Sequence, residues 1–188
     1  MAIRIKSSWH ESDRNKPTGK TLEDNAGALA FIAWRLSLES AKNLHREGFE
    51  YRSDKERVGV ISECLAFQIQ LADRLTFERL GDEDREAFIN ALGHRLAVHM
   101  QENMEDIVGA GNYRPPFIAM LNERLADYSE LSFENGEPGF DFVRYFGDRI
   151  LKVMGESQTN RWVFDQITQI EAPEIAEKLK SSLGDLFG

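Results

Sequence analysis

The sequence has a single cysteine, Cys64, among its 188 residues. One thiol cannot form an intramolecular disulfide, and no CxxC motif is present. A disulfide scaffold and a CxxC metal or redox site are therefore excluded. Free cysteine is among the most buried residue types, so we interpret Cys64 as a small core residue and not as a nucleophile.

Long hydrophobic runs are also missing. The longest run without a charged or polar side chain is residues 26–34, whereas a helix needs about 20 apolar residues to span a bilayer. At the start of the chain, apolar Ile3 and Ile5 alternate with basic Arg4 and Lys6, which is unlike the apolar region of a signal peptide. We expect a cytoplasmic protein that does not associate with membranes.

Motifs for cofactors and catalysis are missing as well. The GxG at 109–111 follows a predicted helix and not a strand, and no Lys-Ser/Thr follows it, so it matches neither a Rossmann fingerprint nor a P-loop. No GxSxG nucleophile motif occurs. We predict no cofactor and assign no catalytic residue.

A metal site is not expected either. The Glu-x-x-His motif of di-iron bundles does not occur. His99 and Glu102 have the reverse order, and Arg95 on the same helical stripe would repel a cation. An enzyme whose scattered site includes His99 and Glu102 is kept as an alternative.

Charge is abundant and unevenly distributed. The chain carries a net charge of −9. Residues 1–20 hold five basic and two acidic side chains, so the remainder carries −12. An acidic body repels phosphate backbones, which argues against nucleic-acid binding. Because 1–20 is polar and has no sustained periodicity, we predict a flexible basic N-terminal tail, followed by a single domain over 21–188.

The stretch from Thr21 to Gly48 is predicted to be one long helix that is apolar on two sides. At about 100° per residue, one arc holds Leu29, Ile32, Ala33, Leu36 and Leu44, and nearly opposite lie Phe31, Trp34, Leu38 and Ala41. A helix that is apolar on most of its circumference is buried among neighbours. We therefore predict that this helix is central. Its second arc is either covered by the C-terminal helices or used as a dimer surface.

Capping signals and apolar periodicity divide the remaining chain into further helices. The predicted helices cover 54 to about 80, 82 to about 108, 115 to about 133, 140–154, 160 to about 171, and a last segment after Pro173. The sequence ENGEPG at 134–139 predicts a turn, and Pro173 is expected to interrupt the helix before it. The predicted fold is all-α: a bundle of three long antiparallel helices, with three or four shorter C-terminal helices around the first.

Polar residues inside apolar arcs are the best candidates for a binding site. Arg124 lies between apolar positions of the fourth helix in projection, and a buried guanidinium needs a carboxylate partner. Glu63, Asp73 and Asp127 are the candidate partners. One hypothesis is a helical sensor that binds a small ligand in a polar pocket lined by Arg124, Tyr128, Gln68 and His45. The alternative is a structural network with no ligand.

Surplus aromatic residues suggest a contact surface. In projection, Trp162 points away from the inward side of its helix, and an outward tryptophan is a typical interface anchor. Phe164 and Trp9 are further candidates. With no catalytic motif and this aromatic surplus, we predict a non-catalytic protein that acts through protein–protein contact, as a homodimer.

Overall fold

The computed structural model describes residues 3–5 and 20–188, and this described part is all-α apart from one short hairpin. The elements are α1 (Leu22–Arg46), α2 (Asp54–Thr76), α3 (Asp82–Val108), α4 (Arg114–Ser129), β1 (Phe133–Glu134), β2 (Glu137–Pro138), α5 (Phe140–Met154), α6 (Val163–Gln166) and α7 (Ala172–Phe187). A π-helical turn, Ile167–Glu171, joins α6 to α7. Among the described helices, none combines the length and the apolar character needed to cross a membrane.

Local side-chain chemistry sets the ends of the first helices. Thr21 and Asp24 form a complete capping box at the start of α1. Gly48 follows the helix with a φ of +91°, a conformation that glycine adopts without strain. The box predicted at Ser53 forms only in part: Ser53 caps the amide of Glu56, but the Glu56 carboxylate accepts from the backbone amide and guanidinium of Arg52.

The second helix, and not the first, lies at the centre of the bundle. From Val60 to Asp73 every residue except Ser62 is buried. α2 packs against α1, α3, α4, α5 and α7, whereas α1 packs mainly against α2, α3 and α7. The prediction of a central first helix is therefore wrong. That prediction was based on the number of apolar positions in each helix. It failed because several polar residues of α2 are buried as well.

The second apolar arc of α1 is only partly covered. Trp34 and Ala41 are buried, while Phe31 is 56% exposed. The Trp34 ring lies 5.8 Å from the imidazole of His99 in α3, centre to centre. Helix α3 thus covers Trp34, where the C-terminal helices were expected.

The turn predicted at 134–139 is present and is part of a small antiparallel hairpin. Asn135 and Gly136 both have positive φ, 54° and 74°, and Phe133 pairs with Pro138. Two consecutive residues with positive φ are typical of a type I′ turn, for which Asn-Gly is the preferred sequence. The hairpin itself was not predicted, because each strand has only two residues.

The chain does not break at Pro173. The amide of Ala172 donates to the carbonyl of Ile167, five residues earlier, so the helix widens just before the proline. Proline lacks an amide hydrogen and its ring crowds the preceding turn of a regular helix. The π turn and α7 follow α6 without interruption, which corrects the predicted interruption.

One residue near the start of the chain departs from the predicted flexible tail. Ile5 is 1% exposed, and its backbone amide and carbonyl both bond to the side chain of Asn122, at 2.6 and 3.0 Å. Its side chain lies against Gly93 in α3, where a Cβ atom would be only 2.3 Å from Ile5 Cδ1. The other residues of the tail up to 19, apart from Ile3 and Arg4, lie outside the described residues.

Candidate functional site

The most buried charged cluster joins α2, α4 and α5. The Nε atom of Arg124 donates to both carboxylate oxygens of Glu63, at 3.0 and 2.9 Å. Arg149 from α5 approaches the same carboxylate at 3.4 Å, and Arg124 Nη1 bonds to Glu123 at 2.7 Å. The side chains of Arg124 and Glu63 are 6% and 5% exposed. Of the three carboxylates considered from sequence, Glu63 is the partner of Arg124.

An aromatic cluster joins the same three helices as the ion cluster, α2, α4 and α5. The ring of Phe67 stacks on Phe146 with centres 4.3 Å apart, and Phe142 and Tyr128 pack against the same ring. Tyr128 is fully buried, and its hydroxyl forms no hydrogen bond to the described residues. Tyr145 packs edge-on against Tyr128 and donates to Asp127.

The electrostatics of the cluster favour a fixed ion pair. Burial is the largest single influence on Arg124 and lowers the pKa of its guanidinium, but the hydrogen bonds to Glu63 and Glu123 and the negative charge of Glu63 together outweigh burial and raise that pKa. Burial raises the pKa of Tyr128 well above its usual value, and the negative charge of Glu63 acts in the same direction. Burial also raises the pKa of Tyr145, so both tyrosines keep their protons at neutral pH. This chemistry suits a structural network better than a catalytic one.

The four residues predicted to line one ligand pocket do not come together. Gln68 lies between α1 and α2, where its amide donates to Ala33 O, Ser37 Oγ and Cys64 O at 2.8–3.2 Å. His45 is exposed at the end of α1. Arg124 and Tyr128 are neighbours on α4, but Arg124 is held by a carboxylate. This arrangement corresponds to the structural alternative for Arg124.

His99 and Glu102 also have separate surroundings. The imidazole of His99 is packed against Trp34, and Glu102 is exposed on α3. Within residues 3–5 and 20–188, no group of three or more histidine, cysteine, aspartate or glutamate side chains is arranged to hold a metal ion.

The predicted contact residues differ in their exposure. Trp162 is 58% exposed, and the guanidinium carbon of Arg161 lies 5.2 Å from its ring centre. Phe164 instead lies over Gly147 of α5, where a Cβ atom would be 2.9 Å from the phenylalanine ring. Phe164 is therefore a packing residue and does not stand out as an interface anchor. Trp9 lies outside the described residues.

A second polar cluster, which the sequence analysis missed, lies where the π turn meets α1. Glu171, the last residue of the π turn, is 2% exposed. Its carboxylate accepts from the side-chain amides of Asn43 and Gln166, at 3.4 and 3.2 Å. Ser40 is also 2% exposed, and its hydroxyl forms no hydrogen bond to the described residues. In helical projection Asn43 lies on an apolar arc of α1, and this is the one feature of the sequence that marks the cluster.

Comparison of the chain with models of protein families, with curated proteins and with solved structures finds no match.

Proposed function

We propose that this protein has no catalytic activity and acts through protein–protein contact, associating with a second copy of itself through the surface around Trp162. The observation that carries the proposal is the exposed indole with an arginine stacked on it. Tryptophan and arginine are enriched among the residues that dominate binding energy at interfaces. The ion cluster at Arg124, which is the other notable arrangement, is closed by its own carboxylate and supports no ligand function.

The turn that carries Trp162 is rigidly attached to the bundle. Asn160, which is 2% exposed, bonds through its side chain to both the amide and the carbonyl of Glu50, each at 3.0 Å. It also donates to the carbonyl of Met154 at 3.4 Å. A rigid, outward-facing aromatic residue loses little conformational entropy when it binds a partner, and this favours association.

Charge near Trp162 fits a two-fold contact. In such a contact a surface meets a copy of itself, so each basic residue needs an acidic residue nearby. Asp165 follows Arg161 by four residues and is the candidate acidic partner. The net charge of −9 opposes the approach of two copies, and salt screens this repulsion beyond about 10 Å.

The experiment is light scattering coupled to size-exclusion chromatography at tens of micromolar protein. The wild-type protein is expected at twice the chain mass of 21.5 kDa. Trp162→Ala is expected at the mass of the monomer, because truncating such an anchor costs about 2–4 kcal/mol. The matched control is Phe140→Ala, since Phe140 is 79% exposed at the start of α5, and this variant should remain dimeric. A monomeric wild type, or a dimeric Trp162→Ala, would contradict the proposal.

A further inference from the structure

A groove between α3 and α4 holds residues 3–5 of the chain, and we define it by Gly93 of α3 and Asn122 of α4. Ile5 is 1% exposed, Ile3 packs against the core and is partly buried, and Arg4 between them is exposed. Such alternation is typical of an extended chain, in which every second side chain faces the same way. The bundle therefore receives an Ile-x-Ile segment with both isoleucines turned towards it.

Asn122 recognises the backbone of this segment. Its side-chain oxygen accepts from the Ile5 amide at 2.6 Å, and its side-chain nitrogen donates to the Ile5 carbonyl at 3.0 Å. A single amide side chain, with one acceptor and two donor hydrogens, thus satisfies both main-chain groups of one residue. Main-chain hydrogen bonds provide affinity in sites that bind extended peptides, while pockets for alternate side chains provide specificity.

Gly93 supplies the pocket for the side chain. A Cβ atom at this position would lie within 3.3 Å of three side-chain carbons of Ile5. The space occupied by the isoleucine is therefore available only because residue 93 has no side chain. Glycine is unfavourable in the interior of a helix, and here the packing of Ile5 offsets that loss. Asn122 and Gly93 together give the groove the two elements of a peptide-binding site.

The connection between this segment and α1 is long enough to reach another molecule. Fourteen residues, 6–19, separate Ile5 from Lys20, and a fully extended chain of that length spans about 46–50 Å. The longest helix, α3, has 27 residues and is about 40 Å long. Protomers that exchange an identical element form the same contacts as before, so such an exchange is a low-cost route to a dimer.

Charge favours the same segment as the ligand. Arg4 and Lys6 flank Ile5 in the sequence, whereas residues 21–188 carry a net charge of −12. An acidic bundle attracts a basic peptide and speeds the encounter between them. Each copy of the chain thus carries both the groove and a segment whose shape and charge suit it.

We infer that this groove is a peptide-binding site that takes residues 3–5 of a second copy of the chain in exchange for its own. The hydrogen bonds are the same in both arrangements: the Ile5 amide donates to Asn122 Oδ1, and Asn122 Nδ2 donates to the Ile5 carbonyl. The exchange adds to the contact proposed at Trp162 and does not depend on it.

The first test fills the groove with a peptide. In full-length Ile5→Asp the segment is expected to leave the groove, because an unpaired buried carboxylate is unfavourable. The peptide acetyl-AIRIKS-amide, which has the sequence of residues 2–7, should then raise the midpoint of thermal unfolding in a saturable way. The control peptide is N-methylated at its second isoleucine, lacks the N–H that Asn122 accepts, and should bind at least fivefold more weakly. Equal shifts with both peptides, or no shift, would overturn the inference.

Variants locate the peptide in the groove. Ile5→Asp/Asn122→Ala should lose peptide binding. The matched control is Asn103, whose side chain bonds to His99 O within α3, so Ile5→Asp/Asn103→Ala should bind the peptide like Ile5→Asp. If Ile5→Asp does not fold, excess peptide added to the wild type should displace the segment and speed hydrogen exchange at the Ile5 amide. Binding that survives Asn122→Ala, or unchanged exchange in the wild type, would refute the assignment.

Mixing two variants tests the exchange between copies. Both carry Trp162→Ala, which removes the contact proposed above. One also carries Ile5→Asp and has a groove without its ligand, and the other carries Asn122→Ala and has the ligand without its clamp. In sedimentation equilibrium at hundreds of micromolar, the mixture should have a higher average mass than either variant alone. An unchanged mass would overturn the exchange even where the peptide binds, and it would leave the contact at Trp162 unaffected.

Discussion

Removing the carboxylate of Glu63 should cost more stability than removing its main partner, Arg124. In Glu63→Met, Arg124 is left buried with only Glu123, which is 68% exposed and screened by water. Breaking a buried ion pair by removing one partner costs about 3–5 kcal/mol, and we expect about 4 here. In Arg124→Met, Glu63 keeps Arg149 at 3.4 Å, so we expect about 3 kcal/mol.

The double variant Glu63→Met/Arg124→Met tests whether the two charges act as a pair. Once Glu63 is gone, Arg124 is an uncompensated buried charge, and replacing it should cost nothing more. We therefore expect the double variant to be no less stable than Glu63→Met. The resulting coupling energy is about 3 kcal/mol, at the upper end for residues in contact. Arg149 is 20% exposed and can turn its charge towards water.

Urea denaturation followed by far-UV circular dichroism measures these differences. The midpoint should move while the m-value is constant, because the surface exposed on unfolding is unchanged. The matched control is the surface pair Arg57 and Asp54, whose side chains are 49% and 63% exposed. A double-mutant cycle on this surface pair should give a coupling energy below about 0.5 kcal/mol. If the losses at Glu63 and Arg124 simply add, the ion cluster does not have the structural role assigned to it.

Three further predictions follow from local contacts. In Gly93→Ala the added Cβ atom would lie 2.3 Å from Ile5 Cδ1, so the free energy of unfolding, measured by urea denaturation, should fall by about 1–3 kcal/mol. An unchanged midpoint of unfolding would show that Ile5 does not pack against Gly93. Asn122→Ala removes both side-chain bonds to the Ile5 backbone and should expose the Ile5 amide, seen as faster hydrogen exchange there than in the wild type. The hydrogen bond from Ser132 lowers the pKa of Asp141, so its contribution is present above about pH 3.9 and is lost as the pH falls through the native value. Asp141→Asn should therefore lower the melting temperature at pH 7, and this effect should shrink as the pH falls below about 3.9. An effect of the same size at both ends of that range would contradict the assignment.

Helix positions were predictable from sequence because the signals that set them are local. The capping box at Thr21 and Asp24 and the glycine at Gly48 mark the two ends of α1. The fifth helix was predicted at 140–154, the bounds it has in the structure. Each of these signals depends on residues within a few positions of the helix end.

The central position of α2 depends on contacts that are distant in sequence. Its polar residues Glu63, Gln68 and Asp73 are buried because Arg124, α1 and Arg85 satisfy them. A count of apolar positions scores such residues as exposed, so it ranks α1 above α2. Choosing Glu63 from the three candidate partners of Arg124 likewise required the packing of α4 on α2.

The polar cluster at Glu171 was missed for a related reason. Proline predicts a break because it removes an amide donor and crowds the preceding turn. Whether the chain breaks or widens into a π turn depends on what packs against it, and here α5 and α7 both contact the turn. The sequence therefore indicated an interruption where the structure has a buried carboxylate.

The π turn at Ile167–Glu171 gives the helix one extra residue without turning the segment before it. A regular turn takes 3.6 residues, and a π turn takes about one more for nearly the same rotation. The helical phase on the two sides of the turn is therefore close to that of a regular helix with one residue fewer. Deleting one residue here should close the turn and leave α6 packed on α5, but it should displace the buried carboxylate of Glu171. The wide turn thus adds a buried acid to the bundle while the helix before it keeps its place.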